Sequence, residues 1–190
     1  MDQLLALRQR TRLKHAIRDF FGARNYLEVD TPIAVPTPGT EVHLRYFATH
    51  WLDHAGKPHQ LFLRSSPELH MKKLLAVGAH RIFQMAPCFR NWGEMSDWHR
   101  PEFTMLEWYE TGLTFEGLID QTEALIHETH AALGSQLKLP AKFQRLSVHE
   151  AFQRWLGIDL IDEDPELAAK GTAAGAMSLR DDDDFETAFF

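Results

Sequence analysis

The sequence predicts an α+β fold, a mostly antiparallel sheet flanked by helices, and three observations carry that reading. Residues 4–24 and 115–133 repeat apolar side chains at helical spacing. Residues 81–90 and 102–110 are extended runs joined by a polar loop with two tryptophans, the order expected of an antiparallel hairpin with a long tip. Residues 42–51 and 60–65 read as a second strand pair around a turn at 53–58.

Each element has a local reason. In 4–24, Leu13, Ile17, Phe20 and Phe21 form the apolar stripe, with Arg8, Arg10, Arg12, Lys14 and Arg18 mostly off it. Tyr26-Leu27-Glu28-Val29 is a short extended run that Thr31-Pro32 ends, and Pro36, Pro38 and Gly39 mark a loop. Residues 66–77 predict a helix: Ser66 can cap it, Pro67 suits its first position, and Gly78 suits its end. In 115–133, Phe115, Leu118, Ile119, Leu125, Ile126 and Leu133 fall on one side, with Gly134 at the end. Ser147 and Glu150 have capping-box spacing for a helix that ends near Gly157. After 160 the composition shifts. Asp162-Glu163-Asp164-Pro165 and 181–184 are acidic runs around an Ala/Gly-rich stretch, read as solvated first-turn residues that favour helix dipoles. Phe189-Phe190 reads as the first turn of another helix.

The bulk numbers bound the function. A chain of 190 residues suits one domain with a real core, and residues 1–190 are read as one. A net charge of −7 argues against a segment that lives by gripping nucleic acid, since phosphate neutralisation supplies most of that affinity. It leaves ATP open, which needs only a few placed cations. The single cysteine, Cys88, rules out an intrachain disulfide, and its apolar surroundings read as buried strand. No run approaches the ~18 apolar residues of a membrane span, and the start lacks a leader pattern, so a cytoplasmic protein is expected.

The informative segment is 62–110. Strand alternation puts Phe103, Met105, Glu107 and Tyr109 on one face of 102–110, and Thr104, Leu106, Trp108 and Glu110 on the other. The first face sets a carboxylate and a phenol beside an aromatic ring, a poor core face and a suitable floor for a cationic ligand. Arg90, next to the loop, can grip a phosphate or carboxylate with two prongs, and His99 stands where the loop returns. Singly, each residue reads as a solvated or structurally satisfied group; only the grouping points to a site.

Phe89-Arg90-Asn91 followed by His99-Arg100-Pro101-Glu102-Phe103-Thr104-Met105-Leu106-Glu107-Trp108-Tyr109 resembles motif 2 of the class II lysyl-type aminoacyl-tRNA synthetases, and within them the elongation factor P–(R)-β-lysine ligases. Arg64-Ser65-Ser66-Pro67-Glu68-Leu69-His70-Met71-Lys72 resembles the substrate-side helix start of that family. Residues 11–32 resemble motif 1, whose strand-ending proline lies at a dimer interface in the family. The resemblance covers roughly 5–135. It implies the class II catalytic fold, incomplete at the C-terminus, without an anticodon-binding domain. It also implies a ligase that activates lysine or β-lysine with ATP and Mg²⁺ as an adenylate. The acceptor implied is a lysine of elongation factor P, with tRNA the less favoured acceptor, and the enzyme is implied to be a homodimer. Alternatives are a catalytic fragment of a lysyl-tRNA synthetase and a non-catalytic paralogue.

The family roles carry over residue by residue. Arg90 is implied at the ATP α-phosphate and the substrate carboxylate, Phe103 on adenine, His99 toward the terminal phosphates, and Glu94 on the adenine amine, with Asn91 and Arg100 in the same ATP set. Glu68, beside Ser66, is implied at the substrate α-ammonium, and Glu107 and Tyr109 at the distal ammonium. The spacing Ser65-Ser66-Pro67-Glu68 also fits a capping box in which Glu68 reaches back to a backbone N–H, and local sequence favours that reading. There are departures. The tip loop is longer than the family pattern, Arg100 stands where the family usually has Asn, and neither a glycine-rich motif 3 with its arginine nor the C-terminal acidic residues are found.

Overall fold

The structure, a computed structural model, describes residues 3–41, 44–92, 96, 99–175 and 183–189. It falls into two compact units, residues 1–139 and 140–190.

In the first unit, α1 (Gln3–Gly22) leads into β1 (Leu27–Glu28), β2 (Ala34–Val35), β3 (Phe47–Leu52), β4 (Pro58–Leu63), α2 (Glu68–Ala76), β5 (Arg81–Phe89), β6 (Glu102–Glu110) and α3 (Phe115–Leu133). Two three-stranded sheets result, ordered β1-β5-β6 and β2-β4-β3. β5 and β6 pair antiparallel from Arg81↔Glu110 to Phe89↔Glu102, and β1 joins β5 in parallel. The α+β reading therefore holds. The first strand of the expected pair at 42–51 is shorter, starting at Phe47, and the short β2 lies just before the expected loop.

The alternation of β5 and β6 divides the sheet's two faces. Phe83 and Trp108 lie directly opposite one another, as do Met85 and Leu106. Phe83, Trp108 and Leu106 pack with Phe20, Phe21, Tyr26 and Leu125 in one core cluster. Phe21 is fully buried; it stacks on Phe83 at 4.6 Å and meets Tyr26 edge-on at 5.1 Å. A buried aromatic of this kind is worth several kcal/mol, about 3–5 on truncation to alanine. The α1 stripe thus does what its spacing predicts. Arg24, in the turn after α1, lies over the Phe20 ring and pairs with Glu128 of α3, tying that turn to α3.

α3 starts and stops as expected, with the Thr114 hydroxyl accepting from Gly117 N–H and Gly134 in the left-handed region at φ 62°. Its buried face differs from the expected stripe. Leu125 and Thr129 are buried, while Phe115, Leu118 and Ile126 are exposed. The reason is polar. Gln121 hydrogen-bonds the Tyr26 hydroxyl, which donates to Glu110 at 2.7 Å, and this network turns the Gln121–Leu125–Thr129 line toward the sheet.

The second unit holds α4 (Val148–Leu156), α5 (Leu167–Ala173) and α6 (Phe185–Phe189). The Ser147/Glu150 capping box forms, and Gly157 ends α4 at φ 68°. One acidic run is not simply solvated: Asp164 is only 1% exposed, accepting from Glu166 N–H at 3.0 Å and from Lys170 at 2.7 Å. Asp181 and Asp182 lie outside the described residues. Among the described residues no helix is long and apolar enough to cross a membrane.

Candidate functional site

The face of β5–β6 turned away from the aromatic core carries the candidate site. On it Cys88 lies opposite Phe103, Ala86 opposite Met105, Gln84 opposite Glu107 and Ile82 opposite Tyr109. The β5 half of this face is buried, whereas Phe103, Met105, Glu107 and Tyr109 on β6 are half-buried. The floor expected from strand alternation is thus the β6 half.

α2 is positioned over that floor by its first turn. Pro67 takes the N-cap position where Ser66 was expected to cap, and no side-chain cap bond forms; the Ser66 hydroxyl instead makes a local turn, accepting from Glu68 N–H two residues on at 3.0 Å. The same hydroxyl donates to Glu107 Oε1 at 2.5 Å. The Tyr109 hydroxyl donates to Glu107 Oε2 at 2.8 Å. Both carboxylate oxygens of Glu107 are therefore oriented by neutral hydroxyls, and each keeps lone-pair capacity for a cation. Burial pushes the Tyr109 phenol well above its ordinary value, and the neighbouring Glu107 carboxylate raises it further. Tyr109 is accordingly a donor throughout the neutral range.

Glu68 does not reach back to a backbone N–H, and the Ser65 hydroxyl donates to Pro38 C=O instead of accepting from Glu68, so the capping-box reading fails. Its carboxylate pairs instead with Lys72 one turn along α2. An ammonium already stands at that carboxylate. Beside it, a cavity of about 40 Å³ is lined by residues that include Glu41, Ser65, Ser66 and Glu68. That volume suits a water or an ammonium group.

Arg90 closes the hairpin at the foot of its tip loop, its N–H donating to Pro101 C=O at 3.0 Å. Its guanidinium lies 5.3 Å from the centroid of Phe103. A cation for a phosphate and a flat ring for a base are thus neighbours. His99 and Arg100 are held at the loop, both on Ser96: a His99 ring nitrogen at 2.8 Å from its hydroxyl, the Arg100 guanidinium on its carbonyl at 3.0 Å. The described contacts do not join either residue to Arg90 or Phe103. The Asn91 side chain accepts from Trp92 N–H, and Asn91 N–H bridges to Arg45 C=O. Glu94 lies outside the described residues. Among the described residues no group of three or more His, Cys, Asp or Glu is arranged to hold a metal ion.

Sequence reasoning quoted Arg64 but gave it no role. In the structure its guanidinium is 1% exposed and donates to the Thr31, Pro32 and Pro87 carbonyls and to the Thr31 hydroxyl. A cation directly after the apolar run Leu61-Phe62-Leu63 was the available signal.

An antiparallel hairpin carrying Arg90, Phe103 and Glu107, with a short helix carrying Glu68 joined to it through Ser66, is the arrangement that the fold and the candidate site define. The chain belongs to the class II tRNA synthetases of the D, K and N group, whose family model matches residues 2–185. Among its relatives, an elongation factor P–(R)-β-lysine ligase of Vibrio cholerae serotype O1 is 40% identical over 177 residues, covering 92% of this chain and 51% of the relative. A ligase of the same name from Hamiltonella defensa is 41% identical over 152 residues, 78% of this chain and 43% of the relative. A lysine–tRNA ligase of Thiobacillus denitrificans is 36% identical over 180 residues, 88% of this chain and 35% of the relative. The chain spans about half the length of the elongation factor P ligases it matches.

Proposed function

We propose that this chain is the amino-acid- and nucleotide-binding part of a ligase that activates lysine or β-lysine with ATP and passes it to a lysine of elongation factor P. The observation that carries the amino-acid half is the Glu107 carboxylate, aimed by Ser66 and Tyr109 and accompanied by Glu68. Two separated carboxylates suit a substrate with two ammonium groups. In this reading Glu68 exchanges Lys72 for the substrate's nearer ammonium, and Glu107 with Tyr109 takes the distal one.

Arg90 then holds the substrate carboxylate against the ATP α-phosphate, with adenine on Phe103. Attack of that carboxylate on phosphorus forms the aminoacyl-adenylate and releases pyrophosphate. The protein's part is to position the reactants and to stabilise spreading phosphate charge, not to form a covalent bond. Mg²⁺ enters with the nucleotide, since such ions are commonly held by substrate phosphates and few protein carboxylates. A cytoplasmic homodimer is the working assembly in this reading.

The printed names of the Vibrio cholerae and Hamiltonella defensa relatives favour a protein acceptor, and that of the Thiobacillus denitrificans relative supports tRNA as the second reading. Incubation of the protein with labelled lysine or β-lysine, ATP·Mg²⁺, and either elongation factor P or tRNA separates the two. Label on elongation factor P is expected; label on tRNA alone overturns the acceptor assignment.

A further inference from the structure

Among the described residues, the outer edge of β5 is paired with a strand only at its start. β1 meets Ile82 and Phe83, and Val29 N–H adds a bond to Phe83 C=O. Further along the same edge, one residue stands where a strand would. Arg64 Nε donates to Pro87 C=O at 3.0 Å, and Arg64 C=O accepts from Phe89 N–H at 2.9 Å. The residue after Phe89 is Arg90. From its other side Arg64 is fixed to the segment after β1. Its N–H donates to Ile33 C=O at 3.0 Å, and Nη1 reaches Thr31 C=O at 2.8 Å, the Thr31 hydroxyl at 2.5 Å and Pro32 C=O at 3.2 Å. The Thr31 hydroxyl in turn donates to Gln84 Oε1 at 2.9 Å, and Gln84 lies directly opposite Glu107. Two residues along the chain from Arg64, Ser66 holds Glu107 from above.

We infer that Arg64 is a positioning residue of the reaction: without touching either substrate, it sets the spacing between the amino-acid groups Ser66, Glu68 and Glu107 and the phosphate-binding Arg90. This inference rests on the function proposed above. A buried guanidinium is costly unless its donors are satisfied, and an apolar side chain of similar volume fills a core at less cost. Arg64 engages Nε and Nη1 with carbonyls from two separate segments and a hydroxyl, all directional. Lysine offers a single donor point and cannot reproduce the fork. Reaction between two bound substrates is sensitive to their relative placement, and a misplacement of ~1 Å costs on the order of 100-fold.

The test is steady-state ATP–pyrophosphate exchange with lysine on the full protein, for the parent, Arg64→Met and Thr31→Val. Arg64→Met keeps the volume; Thr31→Val removes one hydroxyl and keeps the shape. A positioning role lowers kcat on the order of 100-fold in Arg64→Met and by a smaller factor in Thr31→Val. Both KM values should stay within a few-fold of the parent. Loss of thermal stability with an unchanged kcat in the folded variant overturns the inference, as does a rise in one substrate's KM with kcat intact. Where Arg64→Met does not fold, Thr31→Val decides: an unchanged kcat sinks the inference. An inactive parent instead refutes the function proposed above, so the two failures are distinguishable.

Discussion

Glu107→Gln is the perturbation that reads the amino-acid pocket most cleanly. The amide is nearly isosteric with the carboxylate, and its oxygen still accepts from Ser66 or Tyr109, whose hydroxyls lie at 2.5 and 2.8 Å from the native oxygens. What disappears is the charge. A hydrogen bond to a charged group contributes about 1.5–3 kcal/mol. The Glu107 side chain is only half-buried, so screening by water favours the lower part of that range. At ~1.4 kcal/mol per decade the expected loss is about tenfold, with a hundredfold as the upper bound. The assay is the lysine concentration dependence of pyrophosphate exchange, with the ATP dependence measured beside it. A tenfold rise in lysine KM at an unchanged ATP KM is expected. A lysine KM equal to the parent's refutes the assignment of Glu107 to a ligand cation. An equal rise in both constants shows that the hairpin itself has been disturbed.

Two further predictions concern stability and reactivity. The Glu110 carboxyl is held below its ordinary 4.5, chiefly by the Tyr26 hydroxyl and then by Arg81. A depressed carboxyl stabilises the fold above its ordinary pKa, and that contribution fades as pH falls through the folded value. The melting-temperature gap between Tyr26→Phe and the parent should therefore be widest near neutrality and shrink in acid; a gap constant with pH contradicts this. Burial pushes the Cys88 thiol up to about 11, so at pH 8 roughly one thiol in a thousand is ionised. Alkylation of Cys88 should be slow in the folded protein and rapid in denaturant, and rapid native labelling contradicts its burial.

Much of this architecture is legible locally. The stripe through Ile17, Phe20 and Phe21, the hairpin of β5 and β6, the capping box of Ser147 and Glu150, and the helix ends at Gly134 and Gly157 depend on neighbours within a few residues, so spacing finds them. The floor of the site was legible for the same reason: strand period alone sets Phe103, Glu107 and Tyr109 on one face. What escaped depends on distant partners. Arg64 is explained only by Thr31, Pro32 and Pro87, and the turn of α3 only by the Gln121–Tyr26–Glu110 network. Asp164 read as one more solvated acid because nothing in its own run announces that it is buried against Lys170. Glu68 was read locally as a capping-box carboxylate and by resemblance as a substrate contact; its pairing with Lys72 one turn along depends on a side-chain torsion that sequence does not encode.

The central claim, a lysine-type substrate activated at Arg90, is tested most directly by pyrophosphate exchange across an amino-acid panel, with the parent and Arg90→Ala compared. Exchange stimulated by lysine or β-lysine, silent with leucine and aspartate, and reduced in Arg90→Ala by the loss of a charge-assisted contact of about 1.5–3 kcal/mol is the outcome the account predicts. Stimulation by an apolar amino acid alone, or exchange in Arg90→Ala equal to the parent's, contradicts it.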